Sequence, residues 1–249
     1  MSKLITAILT KNEALHIGAC LATVQWTDGV LIQDHFSGDE TVTIAKKLGA
    51  RVFQEQFINF SIARNNALKH AVELGAEWLL FVDADERITP ELAHEIREAI
   101  SQPDTVGWWV PRYNLMWGNK MRGGGWYPDH QLRLLKIEHA HYDPQRQVHE
   151  LAELNGPVGY LNEHIVHYNY ASLAQFRHKQ RNYTNFEAEI LHQQGIKAKP
   201  WTYLTMPARE FYWRYIKWKG YRDGWLGVQL CILMAWYKFL TYWRLRQLG

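Results

Sequence analysis

The stretch Trp78-Leu-Leu-Phe-Val-Asp-Ala-Asp-Glu86 joins an apolar run to three acidic side chains. Five consecutive apolar residues predict a strand that is buried on both faces, at the centre of a parallel sheet. Because side chains alternate along a strand, Asp83 and Asp85 are expected on one side of its carboxyl end, where α/β proteins bind ligands. Two carboxylates there suit Mg²⁺ or Mn²⁺ shared with a diphosphate. An Asp-x-Asp pair alone also fits a solvated turn, and the preceding strand favours the metal site.

On both sides of this strand, β-branched or apolar runs alternate with amphipathic stretches. That alternation predicts an α/β fold in which crossover helices connect parallel strands. The predicted strands are 4–9, 30–33, 51–54 and 78–82, and the predicted helices are 13–24, 42–48 and 62–74. Another helix is expected to begin with Thr89 as N-cap and Pro90 in the first position. From residue 107 we predict aromatic strands at 108–113, 131–136 and 165–168, followed by helices at 173–193, 209–219 and 225–245.

Length and composition favour a folded intracellular protein. The chain has 249 residues, of which 47% are hydrophobic, enough for one substantial core or for one domain with an appendage. Cys20 and Cys231 lie in apolar, helix-like stretches, and neither belongs to a Cys-x-x-Cys or zinc-spaced cluster, so we interpret both as reduced packing residues. The N-terminus has a short apolar run and no small-residue cleavage site, which argues against a secretory signal.

The C-terminal segment differs from the rest in charge and in aromatic content. Residues 197–249 carry ten Lys/Arg against two acidic residues, a net charge of +8, and contain 14 of the 34 aromatic side chains. Basic and aromatic residues together favour attachment to anionic lipid head groups. Nucleic acid would also attract such a surface, but we expect none among the partners. The other interpretation is that the helices pack on the catalytic domain or on a second subunit. The uncharged run 225–237 is shorter than the ~20 residues that span a bilayer, although allowing Lys238 leaves a tilted span open.

Four motifs in order resemble those of the family 2 glycosyltransferases of GT-A fold. They are Leu4-Ile-Thr-Ala-Ile-Leu-Thr-Lys-Asn-Glu13, Gln33-Asp34 with Ser37-Gly-Asp-Glu-Thr41, Ala63-Arg-Asn-Asn-Ala67, and Val82-Asp-Ala-Asp-Glu86. Downstream, residues 126–134, 148–150 and 219–224 resemble the subgroup that contains lipopolysaccharide-core β-1,4-glucosyltransferases. The resemblance implies a Rossmann-like, mostly parallel sheet with flanking helices and a C-terminal helical appendage. Together with the change to aromatic strands after residue 103, it predicts a nucleotide-sugar-binding half at 1–103, an acceptor-binding half at 104–170, and a basic, aromatic helical appendage at 171–249.

The resemblance implies a metal-dependent, inverting transfer of a sugar, a hexose from a UDP-sugar, to a hydroxyl of a cell-envelope glycan or glycolipid. From the cysteine usage and the basic, aromatic C-terminal segment, we expect the enzyme in the cytoplasm, on the inner face of the cytoplasmic membrane. Asp34 is then expected to contact the nucleotide base and Asp39 to lie near the nucleoside, while His35 stands where the family usually has Ser. Arg64 would neutralise phosphate or the acidic neighbours of the metal, or be a solvated residue at a helix start. The implied donor-binding residues are Thr10, Asn12, Glu13, Asp34, Asp39, Arg64, Asp83, Ala84 and Asp85.

An inverting transfer needs a base that removes the proton of the attacking hydroxyl. The family usually supplies it from a Glu-Asp pair after a glycine-rich turn, and Pro128-Asp129 stands in that place here. The resemblance therefore implies Asp129 as the first choice of base, with Glu150 second. His149 is expected to complete the metal shell or to touch the diphosphate, with a structural histidine as the alternative.

Residues around the glycine run are candidates for the acceptor or the diphosphate. Gln131 and Arg133 are two positions apart and therefore lie on the same face of a predicted strand. The other interpretation is that they are ordinary surface residues of that strand. Trp126 and Tyr127 follow three glycines, which suggests a mobile loop that stacks on sugars, although aromatic loops also simply pack. Four histidines, at 139, 141, 164 and 167, do not have zinc spacing.

Other functions fit the sequence less well. Nucleotidyl transfer on a related sheet lacks the expected glycine-rich, lysine-containing loop near the N-terminus. A dinucleotide-binding oxidoreductase is disfavoured because no Gly-x-Gly-x-x-Gly follows the first strand. A degenerate transferase that serves as a glycan-binding or scaffold protein stays open, and the acidic residues at 83, 85, 129 and 150 argue against it.

Overall fold

The computed structural model describes residues 2–145 and 151–249. Its strands are β1 Leu4–Thr10, β2 Val30–Asp34, β3 Arg51–Gln54, β4 Trp78–Phe81, β5 Glu86–Arg87, β6 Gly107–Met116, β7 Asn119–Lys120, β8 His130–Lys136, β9 Ala140–His141, β10 Glu153–Leu154, β11 Val158–Tyr160 and β12 Ile165–Tyr170. Its α-helices are α1 Ile17–Ala22, α2 Thr41–Lys47, α3 Phe60–Glu73, α4 Pro90–Ala99, α5 Leu173–Gln193, α6 Thr202–Tyr212 and α7 Gly224–Leu248.

The chain forms two compact units. One comprises Met1–Arg112 and His130–His167, and the other comprises Tyr113–Asp129 and Tyr168–Gly249. Strands β6 and β12 each run from the first unit into the second. The sequence-based division at residues 103 and 170 stays a prediction.

The first unit is built on the predicted parallel sheet. The strand order is β3-β2-β1-β4-β8-β6-β12-β5, with β1, β2, β3 and β4 parallel to their neighbours within that group and β8 antiparallel to β4 and β6. Along β4, Trp78 and Leu80 enter one core cluster while Leu79 and Phe81 enter another, because alternate side chains point to opposite faces. The prediction of a buried central strand is therefore confirmed, although β4 ends at Phe81 and has a parallel neighbour, β1, on one side only. Its carboxyl end lies at an edge of the sheet.

Two helices differ from the prediction by more than three residues at their starts. The helix expected at 13–24 is shorter, because α1 begins only at Ile17. Before it lies a turn in which the Glu13 carbonyl accepts from the backbone N–H groups of His16 and Ile17. The expected start at residue 209 is wrong: α6 begins at Thr202 and includes Pro207, a residue that normally interrupts helices. A π-helical turn, Trp213–Lys217, follows it. The predicted N-cap is confirmed, because the Thr89 hydroxyl accepts from the Leu92 N–H.

The second unit is mainly helical. Helix α7 packs against α5 and α6, and two apolar clusters form the cores of this unit. One cluster centres on Phe176 and Leu230, and the other on Ala188, Tyr242 and Leu245. Among the helices of the described residues, none has both the length and the apolarity needed to cross a bilayer.

Candidate active site

The acidic segment after β4 turns directly into the short strand β5. Glu86 and Arg87 of β5 pair antiparallel with β12, which sets Glu86 opposite His167. This pairing brings a histidine that is 84 positions away from Asp83 in the sequence to the carboxyl edge of the sheet. The site is therefore assembled from β4, β5, β8 and β12 of the first unit.

Glu86 organises the charges at this edge. Its side chain is 0% exposed, and it accepts hydrogen bonds from the Asp83 N–H at 2.9 Å, from Arg112 at 2.9 Å and from Arg133 at 3.1 Å. Arg133 is itself only 4% exposed. A buried carboxylate is tolerated when it is paired and hydrogen-bonded, and removing one partner leaves an uncompensated charge. Glu86 thus fixes the two arginines and the backbone at Asp83 in one arrangement.

Asp83 is held by arginines. Its carboxylate accepts from Arg133 Nη1 at 3.2 Å and from Arg133 Nη2, and Arg112 Nη1 lies 4.0 Å away. Burial alone would raise the pKa of Asp83, but the charges of Arg133, Arg64 and Arg112, with the Arg133 hydrogen bond, outweigh it and hold that pKa well below its usual range. Asp83 is therefore ionised and engaged, so its predicted role as a metal ligand would require the pair with Arg133 to open.

Asp85 has a different environment. Its Oδ2 lies 3.4 Å from Nε2 of His167, and the two side chains are 25% and 12% exposed. A carboxylate oxygen and an imidazole nitrogen are both ligands that Mn²⁺ accepts, and Mg²⁺ prefers the oxygen. No group of three or more His, Cys, Asp or Glu side chains with metal-binding geometry occurs among the described residues. Asp85 and His167 fit a site that a diphosphate or water completes.

The loops that follow β1 and β2 are joined by side-chain hydrogen bonds. The Asn12 side-chain oxygen accepts from the Gly38 N–H at 2.8 Å, and the Asn12 N–H donates to the Ser37 hydroxyl at 2.8 Å. Asp39 accepts from the N–H groups of Ala14 at 3.1 Å and Thr41 at 3.0 Å. Asn12 and Asp39, both predicted at the donor site, thus connect these two loops.

A cleft of about 850 Å³ lies beside these loops, within the size range of small-molecule sites. The predicted donor residues Thr10 and Glu13 line it, and His35 and Lys11 are further polar residues of its wall. The remaining lining is partly aromatic: Phe36, Phe57 and Phe60 contribute to the wall with Leu9 and Gln56.

Asp34 is buried and fully engaged. Its carboxylate accepts from Thr10 Oγ1 at 3.1 Å, from the Ser37 N–H at 3.0 Å and Oγ at 2.5 Å, and from Gln54 Nε2 at 3.0 Å. Burial alone would raise the pKa of Asp34, and these hydrogen bonds lower it. The predicted contact of Asp34 with the nucleotide base stays a prediction, and it requires the exchange of one of these bonds.

Arg64 lies close to the acidic edge. Its guanidinium stacks over the Phe81 ring at 4.8 Å and lies 5.8 Å from the Tyr142 ring, and its charge acts on Asp83. A stacked guanidinium keeps its charge while its planar face is buried. The neutralising role predicted for Arg64 is compatible with this position.

Asp129 belongs to the second unit. Asn114, which is 2% exposed, donates from Nδ2 to Asp129 Oδ2 at 2.9 Å and to the Trp126 carbonyl at 2.8 Å. Asn114 also accepts from Asn169 at 3.3 Å. The buried amide thus orients the proposed base and the loop before it.

The glycine run packs closely on the segment before α7. The Gly124 N–H donates to the Trp218 carbonyl at 2.7 Å, and Arg214 donates to the Gly124 carbonyl at 2.8 Å. A side chain at Gly123 would meet the Lys219 carbonyl oxygen at 2.2 Å. Glycine is needed here because the two backbone segments approach each other too closely for a side chain. The sequence had instead suggested that these glycines make the loop mobile. Next to it, the Tyr127 ring stacks on Tyr113 at 5.6 Å.

The remaining predicted residues fall into two groups. Arg133 lies in the ion-pair network with Asp83 and Glu86, and Gln131 lies on β8 opposite Val110. His149 and Glu150 lie outside the described residues, so their predicted roles stay predictions.

Four residues that the sequence did not assign to the site are Glu86, Arg112, Asn114 and His167. Glu86 ends the acidic motif at residues 83–86, whereas the other three are polar side chains in strands of apolar and aromatic residues. A polar residue in such a strand must find a partner when it is buried, and that is the only signal the sequence offers for Arg112, Asn114 and His167. Their partners are distant in the sequence.

Comparisons with known proteins cover nearly the whole chain. The family model described as glycosyl transferase family 2 matches residues 6–152. An uncharacterized glycosyltransferase of Rickettsia typhi is 28% identical over 265 residues, which cover 100% of this chain and 88% of that protein. The lipopolysaccharide core biosynthesis glycosyltransferase LpsC of Rhizobium meliloti is 24% identical, over 94% of this chain and 88% of that protein. Glucosyl-3-phosphoglycerate synthase of Mycobacterium tuberculosis, solved with Mn²⁺, UDP and glucosyl-3-phosphoglycerate, matches 46% of this chain and 44% of its own at 16% identity and a TM-score of 0.39.

Proposed function

We propose, since this chain belongs to glycosyl transferase family 2, that it moves a hexose from a UDP-sugar, with inversion, to a hydroxyl of a cell-envelope glycan. The chain is a glycosyltransferase with a GT-A fold, as the order of its motifs predicted. Lipopolysaccharide core or a lipid-linked glycan is the acceptor we propose. The R. meliloti relative, which is named for lipopolysaccharide core biosynthesis, supports that acceptor class.

The observation that carries the proposal is the pair of Asp85 and His167 at the carboxyl end of β4, 3.4 Å apart. We assign to these two side chains the binding of Mg²⁺ or Mn²⁺. Bound there, the metal would supply positive charge to the departing diphosphate without proton transfer. Asp83 would join them only if its pair with Arg133 opened.

The other roles fall to residues of the chain itself. Thr10 and Glu13 line the donor cleft, while Asn12 and Asp39 fix the loops beside it. Arg64 contributes positive charge near the diphosphate. Asp129, oriented by Asn114, removes the proton of the acceptor hydroxyl as its oxygen attacks the anomeric carbon.

We also propose that the enzyme works at the inner face of the cytoplasmic membrane. The segment 197–249, with its net charge of +8 and its 14 aromatic residues, supports peripheral attachment. A lipid-associated acceptor would then be concentrated where the enzyme is bound.

The test is a thermal-shift titration of the full chain with UDP-sugars, with and without Mn²⁺. We expect UDP-sugars to raise the Tm only when Mn²⁺ is present, and we expect Asp85→Ala to abolish that shift while the unliganded protein stays folded. Asp104→Ala, which changes an exposed acidic residue, is the control and should respond like the wild type. A metal-independent shift, or a full shift in Asp85→Ala, would contradict the assigned metal site.

A further inference from the structure

Exposed apolar side chains form a stripe along α7. Trp225, Ile232, Trp236 and Trp243 are 72%, 53%, 54% and 49% exposed. They are separated by seven, four and seven residues, a spacing that follows the helix period, so they lie on one side of the helix. At a rise of 1.5 Å per residue the stripe is about 27 Å long. We call these four residues the α7 face.

Neighbouring rings support this face. Phe239 stacks on Trp236 at 5.2 Å and on Trp243 at 6.2 Å. Tyr203 of α6 packs against Phe239 at 6.0 Å and Trp243 at 6.4 Å. The indoles of Trp236 and Trp243 are therefore held at the surface by other rings.

An apolar cleft adjoins the first half of the face. Trp225 and Ile232 line it together with Trp117 and Leu173, and its volume is about 600 Å³. The cleft continues the apolar surface away from the helix, so the face is wider there than a single row of side chains.

Lys238, the one charged side chain of α7 between residues 225 and 243, and the neighbouring Arg244 are engaged with α5. Lys238 donates to Glu187 of α5 at 2.5 Å. Arg244, one residue beyond the face, donates to the Arg181 carbonyl of α5 at 3.0 Å and to Asn185. Helix α7 contains no acidic residue. The face is therefore apolar over its whole length.

Every exposed charged side chain between residues 197 and 249 is positive. The two acidic residues of this segment are partly buried: Glu210 pairs with Arg214 at 2.6 Å, and Asp223 accepts from the Arg122 N–H at 2.6 Å. The exposed basic residues are Lys197, Lys199, Arg209, Lys217, Lys219, Arg222 and Arg246. In the tertiary structure both acidic side chains of this segment are therefore hydrogen-bonded and partly buried, and its seven exposed charged side chains are positive.

We infer that the α7 face docks on an anionic lipid bilayer, with its indoles at the boundary between head groups and acyl chains. Trp is favoured at that depth, and nearby Lys and Arg are attracted to anionic head groups. An apolar, aromatic helix face in a segment whose exposed charged side chains are all positive has the composition of helices that lie in the plane of the interface. The inference rests on the proposed membrane attachment and names the surface that performs it.

A second copy of the chain fits this face less well than an anionic bilayer does. A two-fold dimer places the same surface of both subunits together, and the segment 197–249 exposes seven positive charges and no acidic side chain. Like charges that meet across an interface oppose association, whereas an anionic bilayer complements them.

The first experiment measures co-sedimentation of the full chain with vesicles of equal parts phosphatidylglycerol and phosphatidylcholine. We expect binding that is lost on vesicles of phosphatidylcholine alone, and binding weakened about tenfold or more in Trp225→Ser/Trp236→Ser, because interfacial binding scales with buried apolar area. Tyr183→Ser/Phe186→Ser is the matched control, since it removes two aromatic residues of α5 that are 58% and 50% exposed. The control should bind like the wild type.

A second measurement reports the contact directly. Cys20 and Cys231 are buried, so a cysteine introduced as Ile232→Cys can be labelled selectively with an environment-sensitive fluorophore. We expect its emission to shift to the blue on the anionic vesicles, while a label at Phe186→Cys does not shift. The Mn²⁺-dependent response to UDP-sugars, measured on the same variants, reports the donor site separately. A lost donor response with intact vesicle binding would overturn the proposed function alone.

Three outcomes would overturn the inference. The α5 control pair could weaken binding as much as the α7 pair, or the label at position 232 could stay in water on vesicles. Alternatively, sedimentation equilibrium could show a dimer that Trp225→Ser/Trp236→Ser dissociates while vesicle binding is unchanged. That last result would assign the face to a second copy of the chain.

Discussion

The edge of the sheet in the first unit and the C-terminal helices of the second both carry many charges. At the edge the charged side chains are paired and the central ones are buried, whereas in the helices most of them are exposed. At the edge, Glu86 and Arg133 are 0% and 4% exposed and are paired with each other. In the segment 197–249, seven basic side chains are exposed and the acidic ones are partly buried. The first arrangement fixes atoms in place, and the second presents one sign of charge to a partner.

This difference separates two uses of charge within one chain. A buried pair has one geometry and is costly to disrupt, which suits a site that must hold a donor in one orientation. Exposed charges of one sign contribute little to folding and attract an oppositely charged surface over several ångströms. We therefore expect substitutions at the edge to affect stability and catalysis, and substitutions in the helices to affect binding.

The largest expected effect is the loss of sugar transfer when Asp129 of the second unit is changed. Such a loss would contradict a strict division between a catalytic first unit and a binding second unit. Asp129→Asn should lower sugar transfer about 10²–10⁴-fold, since the amide cannot accept the proton of the acceptor hydroxyl. Donor binding, followed by thermal shift with Mn²⁺, should be retained. Asp104→Asn is the control, and turnover retained in Asp129→Asn would reassign the base, with Glu150 next.

A second prediction tests the buried network. Glu86→Ala should destabilise the fold by about 3–5 kcal/mol, because it leaves Arg112 and the buried Arg133 without this partner. Urea denaturation measures the free energy of unfolding. The matched change is Glu138→Ala, whose carboxylate is 66% exposed and pairs with Lys136 at 2.8 Å, and it should leave the free energy of unfolding almost unchanged. Equal losses in both variants would mean that the arginines find other partners.

A third prediction uses pH to isolate one member of the network. The native pKa of Asp83 is held below its usual range, so its ionised form stabilises the native state. That contribution is fully present above the pKa of an unfolded Asp, about 4, and is lost as the pH falls towards the native pKa. The wild type should therefore be more stable than Asp83→Asn at neutral pH, and the difference should shrink in acid. Urea denaturation over a pH series measures it, and a constant difference would argue against a charge effect.

The smallest expected effect concerns an ion pair in the helical unit. Lys238 and Glu187 are 21% and 44% exposed and 2.5 Å apart. Lys238→Met should change the free energy of unfolding by no more than about 1 kcal/mol, because water screens a partly exposed pair. A loss as large as that of Glu86→Ala would show that this pair belongs with the buried network.

Much of the fold could be predicted from local patterns. The apolar run of β4 predicted a central strand, and the Thr89–Pro90 pair predicted the start of α4, because burial of a strand and capping of a helix depend on a few adjacent residues. The start of α6 could not be predicted in this way, since Pro207 lies inside the helix. There the packing of α6 on α7 overrides the local preference.

By itself the sequence determined the family, the order of the first four parallel-sheet strands and helices along the chain, and the acidic motif at residues 83–86. Only the tertiary structure decided that Arg133 engages Asp83, that His167 lies beside Asp85, and that Asn114 holds Asp129. It also decided which charges of the C-terminal segment reach the surface. The physical reason is that periodicity and capping act within a few residues, whereas a buried polar group is satisfied by whichever distant partner the folded chain brings within hydrogen-bonding distance.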